Sequence, residues 1–338
     1  MRNNYAQFSM KKILLIGGAG YIGTVLTNHF LSKGFKVKCL DALIYSQKNS
    51  INEFFKNKNF EFVLGDIRNF EKIKNLLNDV SVVVILAGLV GDFITKKYPQ
   101  EATEVNNKAI KNIIDSCNNK NINRLVFVST CSNYGLLKNN EIADENHDLN
   151  PLSSYAKDKV KIENYLMSLR NKVDFSPTIL RFATAFGLSP RMRFDLTINH
   201  FTKAILEKQL LNIYDVHTWR PYCHVNDFSR LIETIVLAEK EKIHFQVFNS
   251  GSNINNFTKQ SIIDEIVKII PSKKFVFGKD GSDQRNYKVN FDKVNKYLNF
   301  EPKYNVEDDI PNLINSIKNY KTIEKSKYGN YQINKWKK

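Results

Sequence analysis

Short runs of consecutive apolar residues recur through the first half of the chain: Ile13–Ile16, Val37–Leu40, Phe60–Leu64, Val82–Leu86 and Leu125–Val128. Runs of this length with little polar alternation predict strands covered on both faces. Between them lie segments of helical period. In Tyr21–Leu31, for example, Ile22, Val25, Leu26 and Phe30 fall on one face. Strand, helix, strand repeated in this order predicts a doubly wound parallel α/β sheet with right-handed crossovers. After residue 180 the rhythm loosens. Pro190, Pro221, Pro271, Pro302 and Pro311 punctuate short helices and isolated strands, which predicts a smaller, mixed α/β lobe at the carboxyl edge of the sheet. The expected organisation is an extension over 1–10, a sheet domain over 11–180, and a lobe over 181–320 from which some segments return to the sheet. A Lys- and Asn-rich tail over 321–338 is expected to fray.

Composition bounds this picture without redirecting it. Of 338 residues, 42% are hydrophobic and 25% charged, as in ordinary globular proteins. No apolar run approaches the roughly 20 residues that span a bilayer, and MRNNYAQFSM lacks the apolar stretch of a secretory signal. Met10 directly precedes the first apolar run and could serve as an alternative start. Cys39, Cys117, Cys131 and Cys223 are widely spaced and form no CxxC pair; they read as reduced thiols of a cytoplasmic protein, and neither they nor the six scattered histidines suggest a metal site. The formal charge of +16 is spread along the chain with no block of five like charges. That distribution argues against nucleic acid and leaves a small anionic substrate as the partner the charge favours.

The stretch KKILLIGGAGYIG joins the first apolar run to the first helical segment. Gly17, Gly20 and Gly23 stand at GxxGxxG spacing, a strand–turn–helix arrangement that lets backbone N–H groups meet a pyrophosphate at a helix amino end, with Tyr21 and Ile22 in its first turn. Asp41 closes the next run, where a carboxylate can accept from an adenosine ribose; with no Arg following it closely, NAD is favoured over NADP. Asp66 and Ile67 follow the third run in GDIRN, suited to an adenine. Ala87 and Gly88 follow the fourth in LAGLVG, where small residues leave room for a dinucleotide. The dinucleotide reading predicts a Rossmann-type fold.

In PLSSYAKDKVKIE, Tyr155 and Lys159 stand at i and i+4 on a helical segment whose Glu163 falls among the polar positions. That spacing puts phenol and ammonium on one face, and the cation is expected to lower the Tyr155 pKa toward that of a usable general base. The stretch FVSTCSNYG, 25 residues upstream, can bring the Thr130 hydroxyl beside the phenol. With these residues in order, the chain resembles the extended short-chain dehydrogenase/reductase family, in its group of nucleotide-sugar epimerases and dehydratases. The resemblance covers roughly residues 11–320. It implies that Gly17, Gly20, Gly23, Asp41, Asp66 and Ile67 bind NAD and that Asn106 is a structural asparagine on the cofactor side. It also implies that Thr130, Tyr155 and Lys159 are catalytic, with Lys159 on the nicotinamide ribose.

Departures from the family narrow the activity. The 4,6-dehydratases carry Asp-Glu directly after the catalytic Thr, where Cys131 and Ser132 stand here, so dehydration is not expected. The usual HLAA strand end is ILAG. On the substrate side, WRPYCHVND and GSDQRNYKV match segments whose arginines contact a nucleoside diphosphate, here Arg220 and Arg285. LRFATAFGLSPRMRFDLTINHF resembles a subgroup of bacterial surface-sugar enzymes, with Arg191, Arg193 and Asn199 as candidate substrate contacts and Ala183 and Thr184 toward the sugar. The implied activity is an NAD-dependent oxidoreductase working at carbon 4 of a nucleotide-diphosphate sugar, and the family favours a 4-epimerase. Two alternatives are a 4-dehydrogenase that releases the keto sugar, as for a GDP-linked heptose, and a non-catalytic NAD-binding module. A homodimer is expected from the family.

Overall fold

The apolar runs of the first half become neighbouring strands: β1 Lys12–Ile16, β2 Lys36–Asp41, β3 Phe60–Leu64, β4 Val82–Ile85 and β5 Arg124–Thr130. Two later segments, β6 Ser176–Phe182 and β7 Gln246–Ser250, extend them into one parallel sheet of seven strands, ordered β7-β6-β5-β4-β1-β2-β3. The computed structural model describes residues 12–138, 141–272, 274–278, 281, 283, 285–319 and 328–334.

Alternate residues of each central strand enter opposite layers, which is why their sequences run apolar without a break. On one face Ile13, Leu15, Val82, Val84 and Val126 pack with Leu26 and Phe30 of the helix Tyr21–Ser32 and with Leu231, Ile232 and Ile235 of the helix Val225–Leu237. On the other, Leu14, Ile16, Val83, Ile85 and Phe127 meet Ile110, Ile113 and Ile114 of the helix Ile110–Cys117, and Ile162 and Leu166 of the helix Ser154–Ser168. Each such buried side chain contributes roughly 1.5–3 kcal/mol. β3 departs from the expectation of two covered faces: it is an edge strand, and Leu64 is 53% exposed.

Strand order reverses between β1 and β4, so the crevice beyond their carboxyl ends is where a doubly wound sheet receives a ligand. Over that edge lies a second group of elements, comprising a three-stranded sheet of Thr184–Phe186, Trp219–His224 and Asn256–Thr258 and the helices Thr197–Leu206, Lys259–Ile269 and Val306–Asn319. Phe186, Ile198, Tyr222, Ile262, Ile266 and Leu313 form its core. Two prolines expected to break elements lie inside them. Pro221 pairs with Asn256 in a short strand, and Pro311 sits inside the helix Val306–Asn319, where it removes one intrahelical bond without ending the helix.

The expected extension 1–10 lies outside the described residues, as do 321–327 and 335–338 of the expected tail. Residues 328–334 do not fray. Phe194 N–H donates to Tyr328 O at 2.7 Å, Asn334 N–H donates to Ile44 O at 2.8 Å, and Ile333 packs with Tyr45, Leu89 and Ile94. An apolar residue and two backbone hydrogen bonds anchor a segment whose composition alone reads as solvated.

Candidate active site

At the switch point the glycine turn is set by close approach. Gly17 has φ of +89°, and a Cβ there would stand 2.7 Å from Ala87 N, so the loops after β1 and β4 touch backbone to backbone. A Cβ on Gly23 would stand 2.3 Å from Gly17 O. Gly18, outside the GxxGxxG spacing but marked by the GG doublet, is also confined: its Cβ would meet Cys39 Sγ at 2.6 Å. Gly20 caps the helix Tyr21–Ser32 without a side-chain hydrogen bond. The first-turn N–H groups therefore lack intrahelical partners and present the positive end of the helix to the cleft. This cradle fits a dinucleotide pyrophosphate.

Asp41, at the end of β2, accepts from Ala19 N–H at 3.0 Å and Leu43 N–H at 2.8 Å. Burial raises its pKa, while those two N–H groups and the charge of Arg191 act the other way. Asp66 is gripped by Arg68, with Nε to Oδ1 at 3.0 Å and Nη2 to Oδ2 at 2.6 Å. Gly17, Gly20, Tyr21, Ile22, Gly23, Asp41, Asp66, Ile67, Ala87 and Gly88 all line one cleft of about 620 Å³.

Asn106 does not line the cleft. It lies in a single π-helical stretch, Glu104–Ala109, a local irregularity that turns its amide toward the neighbouring loop. Its Oδ1 accepts from Leu89 N–H at 2.8 Å and its Nδ2 donates to Leu89 O at 3.0 Å. It thus fixes the loop that carries Gly88.

Thr130, Tyr155 and Lys159 line the same cleft. Thr130 ends β5, and its hydroxyl accepts from Ser132 N–H at 3.1 Å. Tyr155 opens the helix Ser154–Ser168, which is started by Ser153 accepting from Ala156 N–H. Lys159 is buried, donates to Val128 O at 2.6 Å and stands 5.8 Å from the Tyr155 ring centroid. Burial pulls its pKa down to about 8, against the nearby charges of Glu163 and Asp158. The expectation that Lys159 lowers the Tyr155 pKa is not met: burial raises it, and the charge acting in the expected direction is Arg193. The i,i+4 geometry is as expected, but the ammonium is turned into the backbone of β5.

Cys131 is buried, its thiol raised by burial, and it donates to Arg181 O. It offers no acid or base at the position that follows Thr130. Behind this turn lies a network invisible to the helical pattern. Glu163, expected on a polar face, is 2% exposed; it accepts from Ser129 Oγ, from Asn133 Nδ2 at 2.8 Å and from Arg181 Nη2 at 2.8 Å. Strand β6 brings Arg181 alongside β5, and the ion pair holds the ends of both strands against the helix of Tyr155.

Arg220 and Arg285 share one carboxylate on the opposite wall. Arg220 Nη2 lies 3.0 Å from Asp283 Oδ2, and Arg285 grips Asp283 at 2.7 and 2.9 Å and Asp92 Oδ2 at 2.9 Å. Burial opposes ionisation of Asp283, but the Arg285 hydrogen bonds and the Arg220 charge hold it well below the usual carboxylate range. Lys259, Tyr287, Ala183 and Thr184 complete this end. Ser132 and Tyr287 hydroxyls meet at 3.2 Å. Arg193 lines the cleft in a fork with Asp195, at 3.0 and 2.5 Å. Arg191 lines the other half, stacked 4.8 Å from the centroid of Tyr45. Asn199, expected to meet substrate, is fully buried outside the cleft: it donates to Tyr21 Oη and Arg193 O and accepts from Gly187 N–H, which commits both its donors to the scaffold.

Known proteins share this architecture along nearly the whole chain. The low-salt glycan biosynthesis protein Agl12 of Haloferax volcanii is 27% identical over 306 residues, covering 88% of this chain and 96% of that protein. The crystal structure of UDP-glucuronic acid 4-epimerase from Bacillus cereus, in complex with UDP-glucuronic acid and NAD, aligns with a TM-score of 0.82 at 25% identity, over 91% of this chain and 99% of its own. A dTDP-glucose 4,6-dehydratase from Bacillus anthracis, in complex with NAD, aligns with a TM-score of 0.80 at 25% identity, over 92% and 97%. Backbone similarity therefore does not separate the two reactions. The model of the NAD dependent epimerase/dehydratase family matches residues 13–251, from β1 through the end of β7, and the chain belongs to that family.

Proposed function

We propose that the protein is an NAD-dependent nucleotide-sugar 4-epimerase. The observation that carries this reading is the convergence, in one cleft, of the glycine turn with Asp41, of Thr130, Tyr155 and Lys159, and of the paired arginines Arg220 and Arg285. The glycine turn and the uncapped helix end take the pyrophosphate, and Asp41 takes the adenosine ribose. Arg220 and Arg285 suit the diphosphate of a sugar nucleotide, because a planar fork matches phosphate oxygens.

When bound, NAD supplies a reversible two-electron acceptor beside carbon 4. Tyr155 takes the proton of the carbon-4 hydroxyl as phenolate, a form that burial opposes and that the Arg193 charge and the positive charge of a bound NAD would favour, and Thr130 orients that hydroxyl by hydrogen bonding. Lys159 would hold the nicotinamide ribose with the ammonium hydrogens not given to Val128 O. The resulting 4-keto sugar turns in the pocket, so that carbon 4 would take its hydride back on the opposite face while Tyr155 returns the proton to the carbon-4 oxygen. Cys131 and Ser132 supply no acid or base for loss of water from carbons 5 and 6, which favours epimerisation over dehydration. The relatives named as UDP-glucuronate 4-epimerases support the same reaction class.

The test is product analysis by mass spectrometry and NMR after incubation with UDP-, GDP- and CDP-sugars. An epimer formed by the wild type, and its loss by a factor of at least about 10³ in Tyr155→Phe, is the expected result. Accumulation of NADH with a released keto sugar would make the protein a dehydrogenase instead. A full panel with no turnover, unaltered by Tyr155→Phe, would leave only an NAD-binding module. A cytoplasmic homodimer belongs to the same reading. All four cysteines are buried and unpaired, as suits a reducing compartment, and light scattering should give about twice 39.2 kDa.

A further inference from the structure

Four arginines line the cleft, and three of them are ion-paired: Arg193 with Asp195, and Arg220 and Arg285 with Asp283. Arg191 differs. Among the described residues it has no carboxylate within ion-pair distance. Its Nη2 donates to two neutral acceptors, Asn330 Oδ1 at 2.8 Å and Gly329 O at 3.3 Å, and its Nε is buried without a partner. The residue is only 3% exposed, and burial together with Arg193 brings its pKa down to about 10. A buried guanidinium left in this state is costly unless an anion completes it.

The surroundings identify which anion. Arg191 stands beside Tyr45 and close enough to Asp41 for each to act on the other's ionisation. Its loop is pinned to the first turn of the helix Tyr21–Ser32, where Ser189 Oγ donates to Tyr21 O at 2.7 Å and accepts from Arg191 N–H at 3.2 Å. Arg191 thus belongs to the glycine-turn half of the cleft, with its loop tied to the first turn of the uncapped helix, and not to the wall of Arg220 and Arg285.

Its partner Asn330 sits on a segment tied to both rims of that half. Asn330 Nδ2 donates to Val90 O, after β4, at 3.0 Å, and Asn334 N–H donates to Ile44 O, after β2, at 2.8 Å. Tyr331 also lines the cleft and meets the Phe93 ring edge-on, with centroids 6.3 Å apart. This segment lies beyond residue 251, where the family match ends.

We propose that Arg191 and the segment Tyr328–Asn334 form a clasp across the dinucleotide, in which Arg191, held by Asn330, contacts the cofactor's pyrophosphate and the segment sets how fast the cofactor leaves. This assigns Arg191 to the cofactor instead of the sugar nucleotide, and it rests on the NAD reading above. Because the segment joins Ile44 to Val90 across that half of the cleft, release on this proposal proceeds by breaking the Asn330 and Asn334 bonds.

The test follows NADH fluorescence after full-length, NADH-loaded protein is mixed with excess NAD. Release should accelerate about tenfold or more in Asn330→Ala and in Arg191→Gln, the scale of a lost hydrogen bond to a charged group. The double variant should release no faster than the faster single variant, because each residue acts through the other. UDP binding to the NAD-loaded variants, by calorimetry, should remain within about twofold of wild type. Unchanged release in Asn330→Ala overturns the clasp; Asn330, though buried, belongs to none of the apolar clusters of the molecule. Weakened UDP binding with unchanged NADH release in Arg191→Gln would return Arg191 to the sugar nucleotide. Tighter binding of NADP than NAD would move it to the ribose 2′ position. Wild-type protein that binds neither NAD nor NADH would defeat the cofactor reading itself, a result distinct from all of these.

Discussion

Single residues of the cleft are constrained by contacts of very different kinds. Gly17 and Gly34 both have positive φ, +89° and +82°, but a Cβ at Gly17 would strike Ala87 backbone whereas nothing lies within 4 Å of one at Gly34. Gly17→Ala should therefore cost about 2–4 kcal/mol in urea unfolding and abolish NADH binding, while Gly34→Asn should cost less than about 1 kcal/mol, since asparagine tolerates the left-handed region. Equal losses would contradict the close approach of the β1 and β4 loops. Lys159 gives a second, pH-dependent signature. Its folded pKa of about 8 lies below the unfolded 10.5, so between those values the unfolded chain holds a proton that the folded one lacks. Stability contributed by this group therefore rises with pH across that window. Relative to Lys159→Met, the wild type should gain about 2 kcal/mol between pH ~7 and pH ~9.5, read from urea midpoints. A pH-independent difference would place the ammonium in a solvated site.

Among elements, the junction of β5, β6 and the helix of Tyr155 depends on one buried ion pair. Removing Glu163 leaves the Arg181 guanidinium, also bonded to Tyr134 Oη at 3.0 Å, without its counter-charge. Glu163→Ala should destabilise by about 3–5 kcal/mol in equilibrium unfolding. A loss below about 1 kcal/mol would mean that water reaches the pair. Legibility at this scale divides cleanly. The strands at the sheet centre and the helix Tyr21–Ser32 were readable because burial on two faces, or along one stripe, imposes a period on the chain. Glu163 was not, since its period marks it as polar and its partner lies on another strand. Asn106 was readable as a residue but not in its manner of acting, which depends on a π-helical stretch that has no period of its own. Asn199 and the Lys159–Tyr155 relation failed for the same reason: spacing tells which side chains share a face, and not which backbone groups they then choose.

For the molecule as a whole, the cleft arises where β1 and β4 part and a second group of elements covers their carboxyl ends. Motif order foretold this convergence for every residue taken from the first five strands. It could not foretell the division of the arginines, because Arg191 and Arg193 are two residues apart yet serve different neighbours, and Arg191 is completed by a segment almost 140 residues downstream. Nor could a Lys- and Asn-rich tail announce a docked Ile333. The four cysteines carry a practical consequence. Burial raises the pKa of each thiol, and all four are unpaired, so they are poor nucleophiles toward alkylating reagents while the chain stays folded. A single cysteine introduced on the outer side of the segment at 328–334 would then be the one reactive handle of the native protein, and a fluorophore attached there would report the opening of the cleft without any native thiol having to be removed.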